Sequence, residues 1–411
     1  MLEAESGWVD SETFKRLSHG RSVVYALELV GETDDFAARE AATAAGPASD
    51  VAVVAPGVAV ARAVDTSRVR RLAYTRAAVQ LLGETDASVE SARALLSSAS
   101  LHTTSETVAV RARDVRGTAG VSTATAEREL GSVLVSRGFT VDLDGPDREL
   151  RALFAGDSCH LGWVCARSVR DFGDRQPTER PFFQPGSMAP LDARAYANLA
   201  GAGPGRTLVD PMCGTGGLLI EGALAGSRVV GVDAQRKMVR GTRQNLTDVL
   251  TEPERDCAST EADADAGDAR DGVDADEESR EAETGESTDE TVGNSPSAPR
   301  RGTFDVLRGD ATALPVGDDT ADGVVVDAPY GRQSKIAHHD LATLVGEALA
   351  EARRVAPRCV LIADRDWSEA AERAGWSVER VFERRVHRSL VRHVHLLDDV
   401  SGEQSHTDLR F

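Results

Sequence analysis

Before about residue 20 the apolar positions follow no period. Beyond it, short β-branched and apolar runs set the pattern. Ser22 to Glu28 (SVVYALE) reads as a strand, and Asp34 to Ala45 repeats at helical spacing. Val51 to Val60 reads as strands about the turn at Pro56-Gly57. Val69 to Leu82 reads as an amphipathic helix, apolar at Leu72, Val79 and Leu82 and basic at Arg68, Arg70, Arg71 and Arg76. A second α/β unit starts at Thr107 with the strand TVAVRARDV and the helix Thr123 to Arg137. Strands follow at Thr140 to Leu143, Glu149 to Ala155 and Cys159 to Ala166. Arg167 to Leu191, rich in Arg, Pro and Gly, reads as a linker.

From Asp192 the pattern becomes an alternation of strands and helices, which predicts a parallel sheet with crossover helices. Strands are expected at Leu208 to Asp210, Arg228 to Asp233, Phe304 to Arg308, Gly323 to Asp327 and Arg358 to Asp364. Helices are expected at Gly216 to Ala225, Gln235 to Leu250, Leu341 to Val355 and Ser368 to Ala374, with a last hairpin from Val378 to Leu397. The segment Thr251 to Gly302 interrupts this order with 17 acidic and 5 basic residues and few apolar ones. It is expected to be a disordered insertion in a surface loop.

Composition changes the picture in three ways. No run of 18 apolar residues is present, and the acidic Met1 to Asp10 lacks the basic start of a secretion signal, so a cytoplasmic chain is expected. Five scattered cysteines (Cys159, Cys165, Cys213, Cys257 and Cys359) suit reduced thiols, and no four-ligand zinc spacing can be completed, so no metal is expected. The net charge of -20 argues against a nucleic-acid partner, yet more than half of it lies in the acidic segment. Only Lys15, Lys237 and Lys335 are lysines among 47 basic residues. Scarce Lys with abundant Asp, Glu and Arg resembles the proteins of salt-loving archaea, so the charge speaks to solvent conditions more than to binding.

Chemistry concentrates at successive strand ends. LVDPMCGTGGLLIEGA, Leu208 to Ala223, is a strand ending on an acid, a glycine-rich turn and a helix start. Gly214, Gly216 and Gly217 allow close backbone approach, and the turn fits neither common nucleotide-phosphate pattern. Asp210 ahead of it suits a ligand with an amino group, such as the amino acid end of S-adenosylmethionine. Asp233 lies 23 residues on, where doubly wound folds place a ribose acceptor. Asp310 and Ala311 end the next strand, where a carboxylate reaches an adenine amine. Singly, each acid is more often a cap or turn former; together they mark the ligand edge of one sheet. Asp327-Ala328-Pro329-Tyr330 ends the following strand. Nucleobase amines are weak nucleophiles because their lone pair is delocalised. Asp327 and the Ala328 carbonyl can hold the two amine hydrogens, Pro329 keeps Ala328 extended, and Tyr330 offers a stacking face.

These two motifs, in this order, resemble those of amino-methyltransferases, the second being (D/N/S)-P-P-(Y/F/W). RQPTERPFFQPGSMAPLDARAYANLAG, Arg175 to Gly201, and GVDAQRKMVRGTRQNL, Gly231 to Leu246, resemble the archaeal tRNA (guanine(10)-N2)-methyltransferase family. The resemblance runs from Tyr25 to the last hairpin, the acidic segment excepted. It implies an α/β fold: a seven-stranded Rossmann-like class I methyltransferase behind an α+β front, ferredoxin-like plus THUMP. The implied division is 1–100 ferredoxin-like, 101–166 the rest of the THUMP domain, 167–191 linker, 192–399 methyltransferase and 400–411 tail.

The same resemblance implies S-adenosylmethionine as cofactor, held by Asp210, Met212, Cys213, Gly214, Gly216, Asp233, Asp310, Ala311, Ser187 and Met188. It implies catalysis by Asp327, Ala328, Pro329 and Tyr330 on a guanine N2 of tRNA, by a monomer. Arg68, Arg70, Arg71, Arg76, Arg111, Arg113 and Arg116 are the basic candidates for RNA. Related eukaryotic enzymes use a small zinc-binding activating subunit, and the sequence leaves that partner open. Ala328 stands where the family usually has Pro, so a less rigid loop is expected. The rival readings are an rRNA guanine-N2 or DNA adenine-N6 methyltransferase, or a decayed RNA-binding scaffold.

Overall fold

The computed structural model describes residues 23–45, 51–102, 105–251, 301–329, 341–387 and 390–399. The first part begins with β1 (Tyr25–Leu29), α1 (Asp34–Ala41), β2 (Ala52–Ala55), β3 (Val58–Ala61), a one-turn α2 (Thr66–Val69), β4 (Thr75–Asp86) and α3 (Val89–Ser98). It continues with β5 (Thr107–Asp114), α4 (Thr123–Ser136), β6 (Thr140–Val141), β7 (Arg148–Ala155) and β8 (Ser158–Arg167). All eight strands form one sheet in the order β2-β3-β1-β4-β8-β7-β5-β6. The units expected on either side of residue 100 therefore share a sheet, joined where β4 pairs with β8. Helices α3 and α4 start on serine caps, Ser88 accepting from Ser91 N and Ser122 from Thr125 N.

One reading is overturned here: the helix expected over Val69 to Leu82 is the one turn of α2 followed by strand β4. Thr75, Ala77, Ala78 and Val79 are buried because β4 is central, flanked by β1 and β8. Burial on both faces removes the alternation that marks a strand, and the remaining apolar spacing imitates a helix. The basic helical face goes with it, since Arg76 is on a strand. Helix α3 had no counterpart in the sequence pattern.

The second part runs α5 (Pro190–Leu199), β9 (Thr207–Asp210), α6 (Gly217–Leu224), β10 (Arg228–Asp233), α7 (Arg236–Thr251), β11 (Phe304–Arg308), β12 (Gly323–Asp327), α8 (Leu341–Val355), β13 (Arg358–Ala363), α9 (Ser368–Arg373), β14 (Trp376–His387) and β15 (Leu390–Asp399). Its seven-stranded sheet is ordered β11-β10-β9-β12-β13-β15-β14, parallel from β11 to β13 and closed by the antiparallel hairpin. The apolar runs TLVD, RVVGVD and GVVVD are short because both faces are covered. The chain steps outward from β9 to β10 and β11, then returns to β12 on the other side of β9. That reversal opens a crevice at the strands' carboxyl ends.

The segment between the two sheets packs against both. Ser168 N donates to Arg76 O (2.9 Å) and Arg170 Nη1 to Ala73 O (2.6 Å), while Arg175 pairs with Glu221 of α6 at 2.7 Å. One apolar core spans the parts: Phe36 meets Tyr74, Tyr196 and Phe382 edge-on at 5.3, 6.0 and 5.4 Å. Beside it the buried Glu40 carboxylate accepts Ala73 N, Tyr74 N and Asn198 Nδ2, each at 2.7 Å. Among the described residues no helix is long and apolar enough to cross a membrane.

Candidate active site

A cleft of about 600 Å³, open to solvent, lies at the carboxyl ends of β9 and β12. Gln184 to Met188 form one wall, Asp210 and Met212 to Thr215 the floor, and Gly217, Leu218, Met238 and Asp327 complete it. The turn after β9 is shaped by two glycines at positive φ, Gly214 (52°) and Gly216 (84°). Gly216 caps α6, and a Cβ there would stand 2.7 Å from Thr242 Cγ2. Backbone bonds tie the turn to β10, Cys213 N donating to Val232 O at 3.0 Å.

Two carboxylates line the cleft and a third braces its floor. Asp210 is buried and accepts Met212 N at 3.0 Å; burial, with Asp327 and Asp233 nearby, holds its pKa well above the ordinary range. Asp233 accepts Gly214 N (3.1 Å) and Gln235 N (2.8 Å), and burial raises its pKa too. Its carboxylate thus braces the glycine-rich turn. Asp327 is half-buried; its buried Oδ1 meets no hydrogen-bond partner among the described residues, and burial pushes its pKa up to about 6.

The structure brings Ser187, Met188, Asp210, Met212, Cys213, Gly214 and Asp327 together around the cleft, with Gly216 and Asp233 supporting its floor. Asp310 and Ala311 stand apart from this lining; the exposed Asp310 accepts Thr312 N (3.0 Å) and Thr312 Oγ1 (2.9 Å). Ala328 is buried, and its N–H donates to Ile362 O at 2.9 Å. A proline could not make that bond, so the loop expected to be looser has a tether of its own. Tyr330, like most of the acidic segment and the tail, lies outside the described residues.

Several residues escaped the sequence reading. Asn245 of α7 exchanges bonds with Phe182 (N to Oδ1, 2.8 Å; Nδ2 to O, 2.8 Å) and also donates to Thr215 O (2.9 Å). Thr242 donates to Gly214 O at 2.7 Å. These two side chains clamp the 182–188 wall to the glycine-rich turn. They fall three residues apart within the buried stripe that also carries Val239 and Leu246, and polar residues in an apolar stripe are the signal that would have found them.

Residues 177–394 match the family model described as RMKL-like, methyltransferase domain. The tRNA (guanine(10)-N2)-dimethyltransferase of Methanothermobacter thermautotrophicus is 31% identical over 301 residues, 72% of this chain and 74% of that one. The chain belongs to the tRNA (guanine(10)-N2)-dimethyltransferase family. The family member from Pyrococcus abyssi is 37% identical over 122 residues, 29% of this chain and 36% of that protein. Among solved structures, TrmN from Thermus thermophilus is similar at 19% identity over 92% of this chain and 100% of that one, with a TM-score of 0.44.

The seven arginines singled out for RNA have diverse surroundings. Arg68 pairs with Asp65 (3.2 Å) and Arg116 with Asp34 (2.6 Å), while Arg76 and Arg113 approach Glu28 at 3.6 and 3.1 Å. Arg71 donates to Ala225 O (3.0 Å) at the junction of the two parts, and Arg111 to Leu143 O (2.6 Å). Arg70 is exposed. Arg151 also reaches Glu28, and both Arg151 and Arg167 reach Glu149.

Proposed function

We propose that this protein methylates the exocyclic N2 of a guanine in tRNA, at position 10, with S-adenosylmethionine as donor. The Asp327 Oδ1, buried at the edge of the cleft and without a hydrogen-bond partner among the described residues, carries this reading. A buried acceptor without a donor is costly unless a ligand supplies one, and a base amine does so. Asp210, Gly214, Ser187 and Met188 would hold the cofactor, with Asp233 bracing the turn from below. The acidic lining suits its sulfonium and ammonium charges. When bound, the cofactor supplies the electrophilic methyl group.

The chain's own residues do the rest. Ionised Asp327 accepts one N2 hydrogen and the Ala328 carbonyl the other, which directs the nitrogen lone pair into the cleft. Methylation of the amine would place positive charge on its nitrogen. Asp327 stabilises that charge and takes the proton as the amine returns to neutrality. A second round on the same nitrogen gives the dimethylated base, the product that the relatives' names imply. Pro329 and Tyr330 would complete the base site.

The front sheet would serve as a THUMP-type RNA grip. The enzyme would work as a monomer in the cytoplasm of a salt-adapted cell. Incubating the protein with unmodified tRNA and labelled cofactor, then analysing nucleosides by mass spectrometry, tests the reading. N2-methyl- and N2,N2-dimethylguanosine at position 10 are expected. Label confined to rRNA or to adenine in DNA would replace it, and no transfer to any nucleic acid would end it.

A further inference from the structure

The face of the sheet that carries Asp327 can be followed strand by strand. Asp327 pairs with Ile362 of β13, and Ile362 with Val394 of β15, so these side chains share a face. Arg392, two residues from Val394, returns to it. Strand spacing and rise put the Arg392 and Asp327 Cα atoms about 12 Å apart, a gap that the two side chains nearly close when extended toward each other. Arg392 is buried, and its Nη1 is 3.7 Å from Asp192 Oδ2. Asp192 is held by the Tyr74 hydroxyl at 2.6 Å and by Arg384 at 3.4 Å, and Arg384 lies over the rings of Phe36 and Tyr74. A chain of contacts thus leads from the front sheet to Arg392, on the sheet face that carries Asp327.

We propose that Arg392 is a positioning residue for methyl transfer, its buried guanidinium fixing the Asp327 carboxylate toward the cleft while Asp192 draws off part of its charge. The inference rests on the proposed function, since it assigns Arg392 a part in that same site. Arg392 is the group that opposes the effect of burial on Asp327. The other charged or titratable groups around this zone are Asp210 on β9, Asp233 on β10, Asp192 and Tyr196 on α5, Arg384 on β14, His393 and His395 on β15, and Tyr74 beside β4. Tyr196, whose hydroxyl has no partner among the described residues, feels Asp192, Arg392, Arg384 and Asp327 together. A purely structural arginine would hold the hairpin in place without making the reaction's pH dependence sensitive to Asp192.

Opposite displacements test this. Single-turnover methylation of tRNA by the full chain is measured from pH 5 to pH 9 for the parent, Arg392→Gln, Arg392→Lys and Asp192→Asn. With Arg392→Gln the acidic limb should move up by about one pH unit, the usual scale for losing an adjacent opposite charge. Arg392→Lys should restore most of the parent profile. With Asp192→Asn the limb should move down, because the guanidinium then serves Asp327 alone. Superimposable profiles would overturn the inference, as would a loss of rate that is uniform with pH and not rescued by lysine. If Arg392→Gln does not fold, an unmoved Asp192→Asn profile overturns it alone. A parent enzyme that transfers no methyl to tRNA would instead defeat the proposed function.

Discussion

Asp327 combines a buried Oδ1, unbonded among the described residues, with a pKa pushed up to about 6 from the ordinary 3.8. The proposed reaction uses the ionised form, so the rate of methyl transfer should fall as pH drops through about 6; a rate unchanged down to pH 4.5 would remove Asp327 from the proposed mechanism. Stability runs the other way. Because the folded value is the higher one, folding takes up a proton between pH 3.8 and 6, and stability falls as pH rises through that window. Above it the full penalty of about 3 kcal/mol remains. Asp327→Asn should therefore melt higher than the parent at pH 8 and converge with it near pH 4. Its methyl transfer should drop by about 10²- to 10³-fold, as when a transition-state contact is removed. Equal melting at pH 8, measured by calorimetry, would contradict the strain assigned to this site.

At the scale of elements, the cleft depends on α7 holding two segments that have no regular structure. Asn245 joins the Phe182 backbone to Thr215, and the absence of a side chain at Gly241 lets the Phe182 ring lie where a Cβ would come within 2.0 Å. Asn245→Ala should weaken cofactor binding by about tenfold, since buried bonds of this kind are worth about 1–3 kcal/mol each. Titration calorimetry checks it, and unchanged affinity would show that the wall stands without the clamp. The parallel strands and their helices were legible because each is a compact apolar run between turn residues. Strand β4 was not. Its pairing with β1 and β8 buries both faces, and that partner arrangement leaves no trace in the spacing of TRAAVQLLGETD.

For the whole molecule, the core around Phe36, Tyr74, Tyr196 and Phe382 and the Glu40 bridge make the front and back parts one cooperative unit. Glu40→Ala would leave Ala73 N and Tyr74 N buried without acceptors, at about 2–4 kcal/mol. A single thermal transition is expected for the parent and a lower one for this variant. Two separate transitions in the parent, each assignable to one part, would show that the shared core does not couple them. The net charge of -20 adds a second expectation. Screening self-repulsion should raise the melting temperature as potassium chloride is increased toward molar levels, and a flat response would detach the acidic composition from salt adaptation.

Asp210, the glycine-rich turn, Asp233 and Asp327 are local in origin, each being an acid or a tight turn at the end of an apolar strand. The chain alone therefore determined the methyltransferase architecture and the sheet edge proposed to take its ligands. The residues that tension that edge, Asn245, Asp192, Arg392 and Tyr74, act across pairs distant in sequence. Their importance lies in burial and in the partners that folding brings, which no local pattern encodes; only the packed structure decided it.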